Sequence, residues 1–219
     1  MKGYNELNFQ LNEENQLYEY LFSRWVFLKY FKRVGKLADF GSGNGNNALA
    51  FKKLGFNVSV CDTDPSFFNR LKKEGIKCYK MNLDKNFLLR DNSLDFIFAK
   101  SLIEHLESPE NFLKEAFRCL KKGGKIFLQT PNWEKGYKVF YNDPTHRSPL
   151  TKNSLSALSK LIGFKIVEIR NFRSIPGIWR LMAIKSFRNI SSLWKFCSMN
   201  SFEMTFFPNN EMIGVLEKQ

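Results

Sequence analysis

Short apolar runs alternate with longer segments of helical periodicity along most of the chain. The runs are typical of buried strands, and the intervening segments place apolar residues three and four positions apart, as one face of a helix requires. The first helical segment covers residues 12–33. Strands that alternate with helices predict a parallel sheet covered by helices on both faces.

The pattern also predicts where the elements begin and end. Strands are expected at 36–40, 57–61, 77–81, 94–99, 125–130, 164–171 and 212–217, with helices at 46–54 and 151–162. A further helix is expected to start after Asp64, with Pro65 in its first turn. Another should begin at Pro109 and end at Lys121-Lys122-Gly123-Gly124, because basic residues followed by glycine suit a helix C-terminus.

A glycine turn joins the first predicted strand to the helix that follows it. Gly41, Gly43 and Gly45 alternate with other residues directly after Asp39. Such a turn lets a nucleoside or amino-acid group approach the backbone closely. Asp62 ends the next strand about 20 residues later, where a ribose-binding acid sits in such units. The pattern therefore predicts a nucleoside-cofactor site.

This turn resembles motif I of the class I S-adenosylmethionine (SAM) methyltransferases rather than a dinucleotide fingerprint, which needs a glycine where Asn46 stands. Residues 92–99, 101–106 and 120–128 are similar to further segments of the same family. The resemblance implies SAM as cofactor. It also implies an α/β, Rossmann-like sheet of seven strands in the order 3-2-1-4-5-7-6, with the last strand antiparallel and helices on both faces.

The resemblance implies a cofactor-binding role for eight residues. Asp39 is expected to hold the amino group of SAM, and Asp62 is expected to accept hydrogen bonds from both ribose hydroxyls. Gly41, Ser42 and Gly43 are expected under the methionine part, Thr63 beside the adenine, and Asn82 and Leu83 at its edge and ring. The family commonly has Asp at or next to position 82, so Asp84 is the alternative for that contact.

Two histidines are candidates for catalysis. A hydroxyl acceptor must lose a proton, and an imidazole suits that task near neutral pH. The chain has only two, His105 and His146, both on predicted loops beyond strand ends. His146 lies in a stretch (142–150) that resembles the Asp-Pro-Thr-His segment of small-molecule and saccharide methyltransferases, and a neighbouring Asp is expected to orient it. The alternative for each is structural: a loop histidine bonded to backbone, or a residue that fixes the loop over the cofactor.

The chain is strongly basic, with a formal net charge of +13. This balance first suggests nucleic acid as a partner. However, the fourth strand is followed by Lys100-Ser101-Leu102-Ile103 and not by the Asn/Asp-Pro-Pro-aromatic segment of base-modifying relatives. Nucleic acid is therefore not the favoured partner.

Residues 173–208 form a basic and aromatic insert before the final strand. At helical spacing its apolar residues, Trp179 and Trp194 among them, gather opposite its basic residues. This pattern is typical of a helix at a membrane interface and predicts peripheral contact with anionic lipid. The alternative is a lid that covers the substrate pocket with its apolar side.

The remaining features indicate one cytoplasmic domain. No apolar run reaches the roughly 18–20 residues that span a bilayer. The polar N-terminus does not read as a signal peptide, and the four scattered cysteines predict neither a disulfide frame nor a metal site. The expected location is the cytoplasm, with contact at the inner face of the membrane. Residues 1–35 should form a helical cap, 36–172 the SAM-binding core and 209–219 the final strand.

These observations predict a SAM-dependent methyltransferase that acts on oxygen of a small molecule, a saccharide or a lipid-linked glycan. The alternatives are a quinone-like lipid or RNA as acceptor, or a SAM-binding protein without catalytic activity.

Overall fold

The computed structural model describes residues 13–172 and 210–219, with side chains from residue 16 onward. The insert at 173–208 and its predicted helix lie outside the described residues. The described helices are α1 (Glu13–Val26), α2 (Asn46–Lys53), α3 (Phe68–Lys73), α4 (Pro109–Cys119), α5 (Trp133–Phe140) and α6 (Lys152–Ile162). A π-helical turn (Phe27–Phe31) extends α1, and a 3-10 turn (Ile103–His105) precedes α4.

Seven described strands form a single sheet: β1 (Lys36–Phe40), β2 (Asn57–Asp62), β3 (Lys77–Lys80), β4 (Leu94–Lys100), β5 (Leu120–Pro131), β6 (Phe164–Phe172) and β7 (Glu211–Lys218). Their order is β3-β2-β1-β4-β5-β7-β6. The first five strands pair in parallel, and β7 runs antiparallel to both β5 and β6. The predicted topology and the antiparallel last strand are confirmed.

Helices cover both faces of this sheet, as predicted. On one face α4 and α6 contribute buried side chains to a core that includes Phe40, Ile97 and Leu128. On the other face α1, α2 and α3 cover a core rich in phenylalanine. Phe22 of α1 is fully buried there and packs edge-to-face against Phe98 and Phe127, with ring centroids 6.2 and 5.9 Å away. Aromatic burial of this kind fixes α1 across the sheet.

Two predicted boundaries are wrong. The helix expected from Pro65 begins at Phe68, because the segment after Pro65 forms a turn in which Asp64 accepts hydrogen bonds from Ser66 and Phe68 N–H donates to Pro65 O.

The other error concerns the Lys-Lys-Gly-Gly segment, which does not end a helix. Helix α4 stops at Cys119, and Leu120 already pairs with Leu94 in the sheet. The register shifts before the ladder resumes at Lys125, and the Lys121 ammonium lies 3.0 Å from both carboxylate oxygens of Asp95. The basic residue and the glycines therefore form an irregular entry into β5.

Candidate active site

The carboxyl ends of β1, β2 and β4 meet at one edge of the sheet, and the glycine turn lies there. Two of its glycines are required by their surroundings. Gly41 has φ +67°, and a Cβ on it would lie 2.9 Å from Leu102 Cδ1, in the turn after β4. Gly45 has φ +77°, and a Cβ there would lie 2.4 Å from Leu71 Cδ2 on α3. The turn is therefore held against two neighbouring elements at positions where a side chain would collide.

Asp39 is the buried acid of this edge. It is 2% exposed, and its Oδ2 atom has no hydrogen-bond partner among the described residues. Burial raises the pKa of the Asp39 carboxyl well above its ordinary value, and the charges of Asp62 and Glu19 raise it further. The Ser42 hydroxyl is likewise buried without a partner in the described part of the chain. Buried polar atoms of this kind normally have a partner, so the pair indicates a site for a ligand.

Asp62 lies beside the glycine turn with its two oxygens partly used. Gly43 N–H donates to Oδ2 and Asp64 N–H donates to Oδ1, and each donor–acceptor distance is 3.0 Å. Burial holds the pKa of the Asp62 carboxyl above its ordinary value, although these amides lower it in part. A carboxylate has about four acceptor positions, so Asp62 retains capacity for two further donors. This arrangement fits two ribose hydroxyls.

The residues predicted beside the adenine follow β2 and β3 at the same edge. Thr63 and Asn82 are exposed, whereas Leu83 is buried in the core. Asp84, the alternative to Asn82, accepts hydrogen bonds from the amides of Glu107 (2.8 Å) and Ser108 (3.0 Å). Its carboxylate thus supports the start of α4, and Asn82 remains the better candidate for a contact with the adenine edge.

The two histidines come together at this end of the sheet. His105 ends the 3-10 turn after β4, and His146 lies in the loop between α5 and α6. Their ring centroids are 4.8 Å apart. The amides of Arg147 and Ser148 both donate to the Glu104 carbonyl, at 2.8 and 3.0 Å. The two loops are therefore bonded together through their backbones.

Hydrogen bonds determine which nitrogen of each imidazole carries the proton. His146 Nδ1 lies 2.6 Å from the Phe140 carbonyl, which can only accept. The Thr145 hydroxyl donates its hydrogen to Asp143 Oδ1, 2.5 Å away. The Thr145 oxygen therefore accepts from His105 Nδ1, 2.9 Å away. With Nδ1 as the donor, the lone pair of the His146 ring lies on Nε2.

Asp143 does not orient the His146 ring in the way that the sequence predicts, because the Phe140 carbonyl holds Nδ1. Asp143 Oδ2 instead lies 3.9 Å from His146 Nε2, and its other oxygen binds Thr145. That carboxylate and the ring form an ion pair only if His146 is protonated.

Glu104 is a residue that the sequence analysis did not single out. It is 1% exposed, accepts a hydrogen bond from Thr130 Oγ1 at 2.8 Å, and burial raises the pKa of its carboxyl to about 7. One ligand atom each of Glu104, His105 and His146 lie within 4.8 Å of one another. We refer to these three residues as the histidine cluster. The adjacent Glu-His pair was the sequence signal for it, but only the fold brings His146 to that pair.

Lys100 and Glu19 form a second feature that the sequence did not reveal. Lys100, at the end of β4, bonds both carboxylate oxygens of Glu19 on α1, at 2.8 and 2.9 Å. Burial opposes the charge of Lys100, but Glu19 outweighs it and raises the pKa of the ammonium. The pair joins α1 to the sheet near Asp39 and therefore helps to fix the edge at which the glycine turn lies.

The sequence matches the family described as "Methyltransferase domain" over residues 13–169. The chain belongs to this family. The match covers all elements that build the glycine turn and the histidine cluster. Together with the motif and the geometry around Asp62, it shows that the protein is a SAM-dependent methyltransferase.

Curated proteins match parts of the sequence, and one of them is named a methyltransferase. The methyltransferase is 26% identical to an uncharacterised protein of Methanocaldococcus jannaschii over 149 residues, which are 67% of this chain and 70% of that protein. It is 25% identical to a ubiquinone biosynthesis O-methyltransferase of Xanthomonas oryzae over 103 residues, 44% of this chain and 43% of that enzyme. This match therefore spans less than half of that enzyme's length.

Solved structures share the fold. A SAM-dependent methyltransferase from Archaeoglobus fulgidus superposes with a TM-score of 0.66 at 20% identity, over 91% of this chain and 94% of that one. Phosphoethanolamine N-methyltransferase 2 of Haemonchus contortus, solved with SAM, gives a TM-score of 0.64 at 16% identity, over 100% of this chain and 60% of that one.

The residues at the glycine edge fit the cofactor. The unpartnered, buried Asp39 Oδ2 suits an ammonium group, and Asp62 has acceptor capacity for two hydroxyls. When bound, SAM supplies a sulfonium methyl group that is already activated for transfer. Within the described residues no helix is long and apolar enough to cross a membrane.

Proposed function

We propose that this methyltransferase acts on a hydroxyl oxygen of a small acceptor, a saccharide or lipid-linked glycan, and that His146 takes the proton. One observation carries the proposal. Two imidazoles from distant loops converge beside the cofactor edge, and each has its Nδ1 proton committed to a fixed acceptor. This arrangement places the lone pair of His146 on Nε2, where it can take the proton of a hydroxyl acceptor.

In this proposal the cofactor-binding residues and the histidine cluster have separate roles. The edge around Asp39 and Asp62 would hold SAM, and the histidine cluster would face the acceptor. SAM would supply an activated methyl group to the acceptor oxygen and would leave as a neutral thioether. The acceptor proton passes to His146 Nε2, where Asp143 stabilises the resulting charge. Positioning and exclusion of water supply much of the rate.

The names of the relatives divide between oxygen and nitrogen as the acceptor atom. One is named a ubiquinone biosynthesis O-methyltransferase, and another, 25% identical over 163 residues, is named phosphoethanolamine N-methyltransferase 2. A quinone-like lipid is therefore the second candidate acceptor. Methylation of RNA is the remaining alternative.

Methyl transfer from isotope-labelled SAM to a panel of acceptors tests the proposal. The panel contains saccharides, lipid-linked glycans, catechols, phosphoethanolamine and RNA. We expect label on oxygen of a glycan-type acceptor. Label on nitrogen, on RNA or on no member of the panel, with SAM binding intact, would contradict the assigned acceptor class.

A further inference from the structure

We propose that Gln129 and Glu211 form a subsite that binds hydroxyl groups of a polyhydroxylated acceptor, such as a saccharide. They belong to a row of polar residues at the carboxyl side of the sheet: Lys100 ends β4, Gln129 lies near the end of β5, and Glu211 begins β7. Glu19 of α1 joins this row through its ion pair with Lys100. We refer to these four residues as the polar floor. The inference rests on the proposed function, because it concerns the same acceptor.

The polar floor faces α1. Three buried residues lie two positions from the floor residues of β4, β5 and β7 and belong to the phenylalanine-rich core under α1: Phe98, Phe127 and Ile213. Because side chains two positions apart share a face of a strand, the floor residues face α1 as well.

Two neighbours place the polar floor within the site. Burial and then the charges of nearby carboxylates, Glu19 among them, raise the pKa of Asp39, so the floor borders the cofactor edge. Thr130 follows Gln129 on β5, faces the opposite side of the sheet and binds Glu104 of the histidine cluster. The end of β5 therefore carries the polar floor on one face and a support of the histidine cluster on the other.

The floor residues contact one another in a chain. Lys100 and Gln129 are partners in the ladder between β4 and β5. Gln129 Nε2 donates to Glu211 Oε2 at 2.8 Å. Burial raises the pKa of the Glu211 carboxyl, and the Gln129 hydrogen bond and the charge of Lys100 lower it in part. Because buried ion pairs contribute little to net stability, a role in binding explains this chain of polar groups better than packing does.

One acceptor atom of the polar floor has no partner. Gln129 is 2% exposed, and its Oε1 atom accepts no hydrogen bond within the described part of the chain. The amide cannot turn over to satisfy this atom, because its Nε2 atom is committed to the Glu211 carboxylate. Buried polar atoms normally have a partner. The amide oxygen is therefore left for a donor on a ligand, and a hydroxyl group supplies one.

The charges of the polar floor favour hydroxyl groups over a cationic amine. An ammonium group that donates to Gln129 Oε1 would meet the positive charge of Lys100, which lies on the neighbouring strand. A hydroxyl group donates without that charge. Glu211 has acceptor positions beyond the one that Gln129 uses, so a second hydroxyl can bind beside the first. The pair therefore suits neighbouring hydroxyls on a neutral ring.

Saturation-transfer NMR with methyl glycosides tests the subsite without turnover. The full-length protein is saturated with S-adenosylhomocysteine, and the probes are the methyl glycosides of glucose, mannose and galactose. Ethanolamine, a cation with one hydroxyl, is the comparison. We expect at least one glycoside to bind, and to bind more tightly than ethanolamine. Absence of binding by all three glycosides, or tighter binding of ethanolamine, would overturn the proposal.

Matched variants assign the binding to the polar floor. Gln129→Met keeps the volume of the side chain but removes the amide oxygen, so glycoside affinity should fall by about tenfold or more. Glu211→Gln keeps an acceptor for the Gln129 amide and should lose less affinity. Asn57→Ala changes an exposed residue at the start of β2, at the other end of the sheet, and should have no effect. Equal glycoside affinity in the parent and in Gln129→Met would contradict the subsite.

Cofactor affinity separates binding of the acceptor from a structural role. Gln129→Met should stay within about twofold of the parent in its affinity for S-adenosylhomocysteine and should raise KM for a saccharide acceptor more than it lowers kcat. A loss of cofactor affinity equal to the loss of glycoside affinity would make Gln129 a structural residue only.

Failure of the subsite is distinguishable from failure of the proposed function. Glycoside binding that depends on Gln129, without methyl transfer to any saccharide of the acceptor panel, would support the subsite and contradict the proposed function. Methyl transfer to a saccharide, with glycoside binding that does not depend on Gln129, would contradict the subsite alone.

Discussion

The two halves of the site are built in different ways. Most of the cofactor half lies in one continuous stretch, residues 36–62, in which strand, glycine turn, helix and strand follow one another. The candidates for the adenine contact, Thr63, Asn82 and Leu83, follow this stretch. Backbone geometry and two buried acids define it. The acceptor half combines Glu104 after β4, Thr130 of β5 and the segment from Phe140 to His146, each held by a side-chain hydrogen bond. The cofactor half depends on local folding and the acceptor half on the whole fold.

This difference has a functional consequence. A change in the acceptor half should leave cofactor binding intact, because hydrogen bonds tie Glu104 to Thr130 and His146 to the Phe140 carbonyl, outside the cofactor half. A change in the cofactor half should remove binding itself. The predictions below test that separation.

The largest expected effect is on turnover. His146→Ala should lower kcat by roughly 10²–10⁴ for the acceptor that the panel identifies, while SAM affinity stays nearly constant. The matched variant is His105→Ala, which removes the other imidazole and should cost less. A loss confined to KM would make His146 a positioning residue, and full activity would exclude it as the base.

The next prediction concerns Asp39, whose buried carboxyl has a raised pKa. In the cofactor-free protein, burial and the negative charges of Asp62 and Glu19 oppose ionisation of this carboxyl. The positive charge of Lys100 favours it. Its folded pKa exceeds its unfolded pKa, so it destabilises the folded state increasingly as pH rises above about 4. Asp39→Asn should therefore raise Tm, more at pH 8 than at pH 4, and weaken SAM binding.

Thermal unfolding at the two pH values measures this effect. For a chain of this size, each 1 kcal/mol of stability shifts Tm by about 2–4 °C. An equal shift at both pH values would show that ionisation of Asp39 is not the cause. A variant with stronger SAM binding than the parent would remove Asp39 from the cofactor half.

Much of the cofactor half is predictable from sequence, and the acceptor half is not. Gly41, Asp39 and Asp62 lie within one short stretch, where the order of residues already determines their neighbours. For Glu104 the one local signal is the adjacent His105, because His146 reaches that pair only after the chain has folded. The Phe140 carbonyl is a backbone group, which the pattern of side chains does not mark. The start of α3 was wrong for a related reason, since Pro65 fits either a helix or the turn that precedes one.

The smallest expected effect concerns the insert at 173–208, whose sequence predicts adsorption to anionic lipid. Each basic residue near the surface should add about 1 kcal/mol, and salt should weaken the attraction. Sedimentation with liposomes that contain anionic lipid, at low and high salt, measures it. Replacement of Trp179 and Trp194 by Ser should weaken binding further.

An RNA competitor serves as the control in that experiment, because RNA binding shares the salt dependence. Displacement of the protein from liposomes by RNA at equal charge would favour nucleic acid as the partner. If the protein does not sediment with liposomes at low salt, the acceptor half receives its substrate from solution and the insert acts as a lid.

The central claim is that a SAM site built on Asp62 is separate from the acceptor half. Calorimetric titration of SAM into the parent, Asp62→Ala and His146→Ala proteins tests it most directly. Asp62→Ala removes two hydrogen bonds to a charged acceptor, each worth about 1.5–3 kcal/mol, so SAM affinity should fall by about 100-fold or more. His146→Ala should stay within about twofold of the parent. An unchanged affinity in Asp62→Ala, or an equal loss in both variants, would contradict the account.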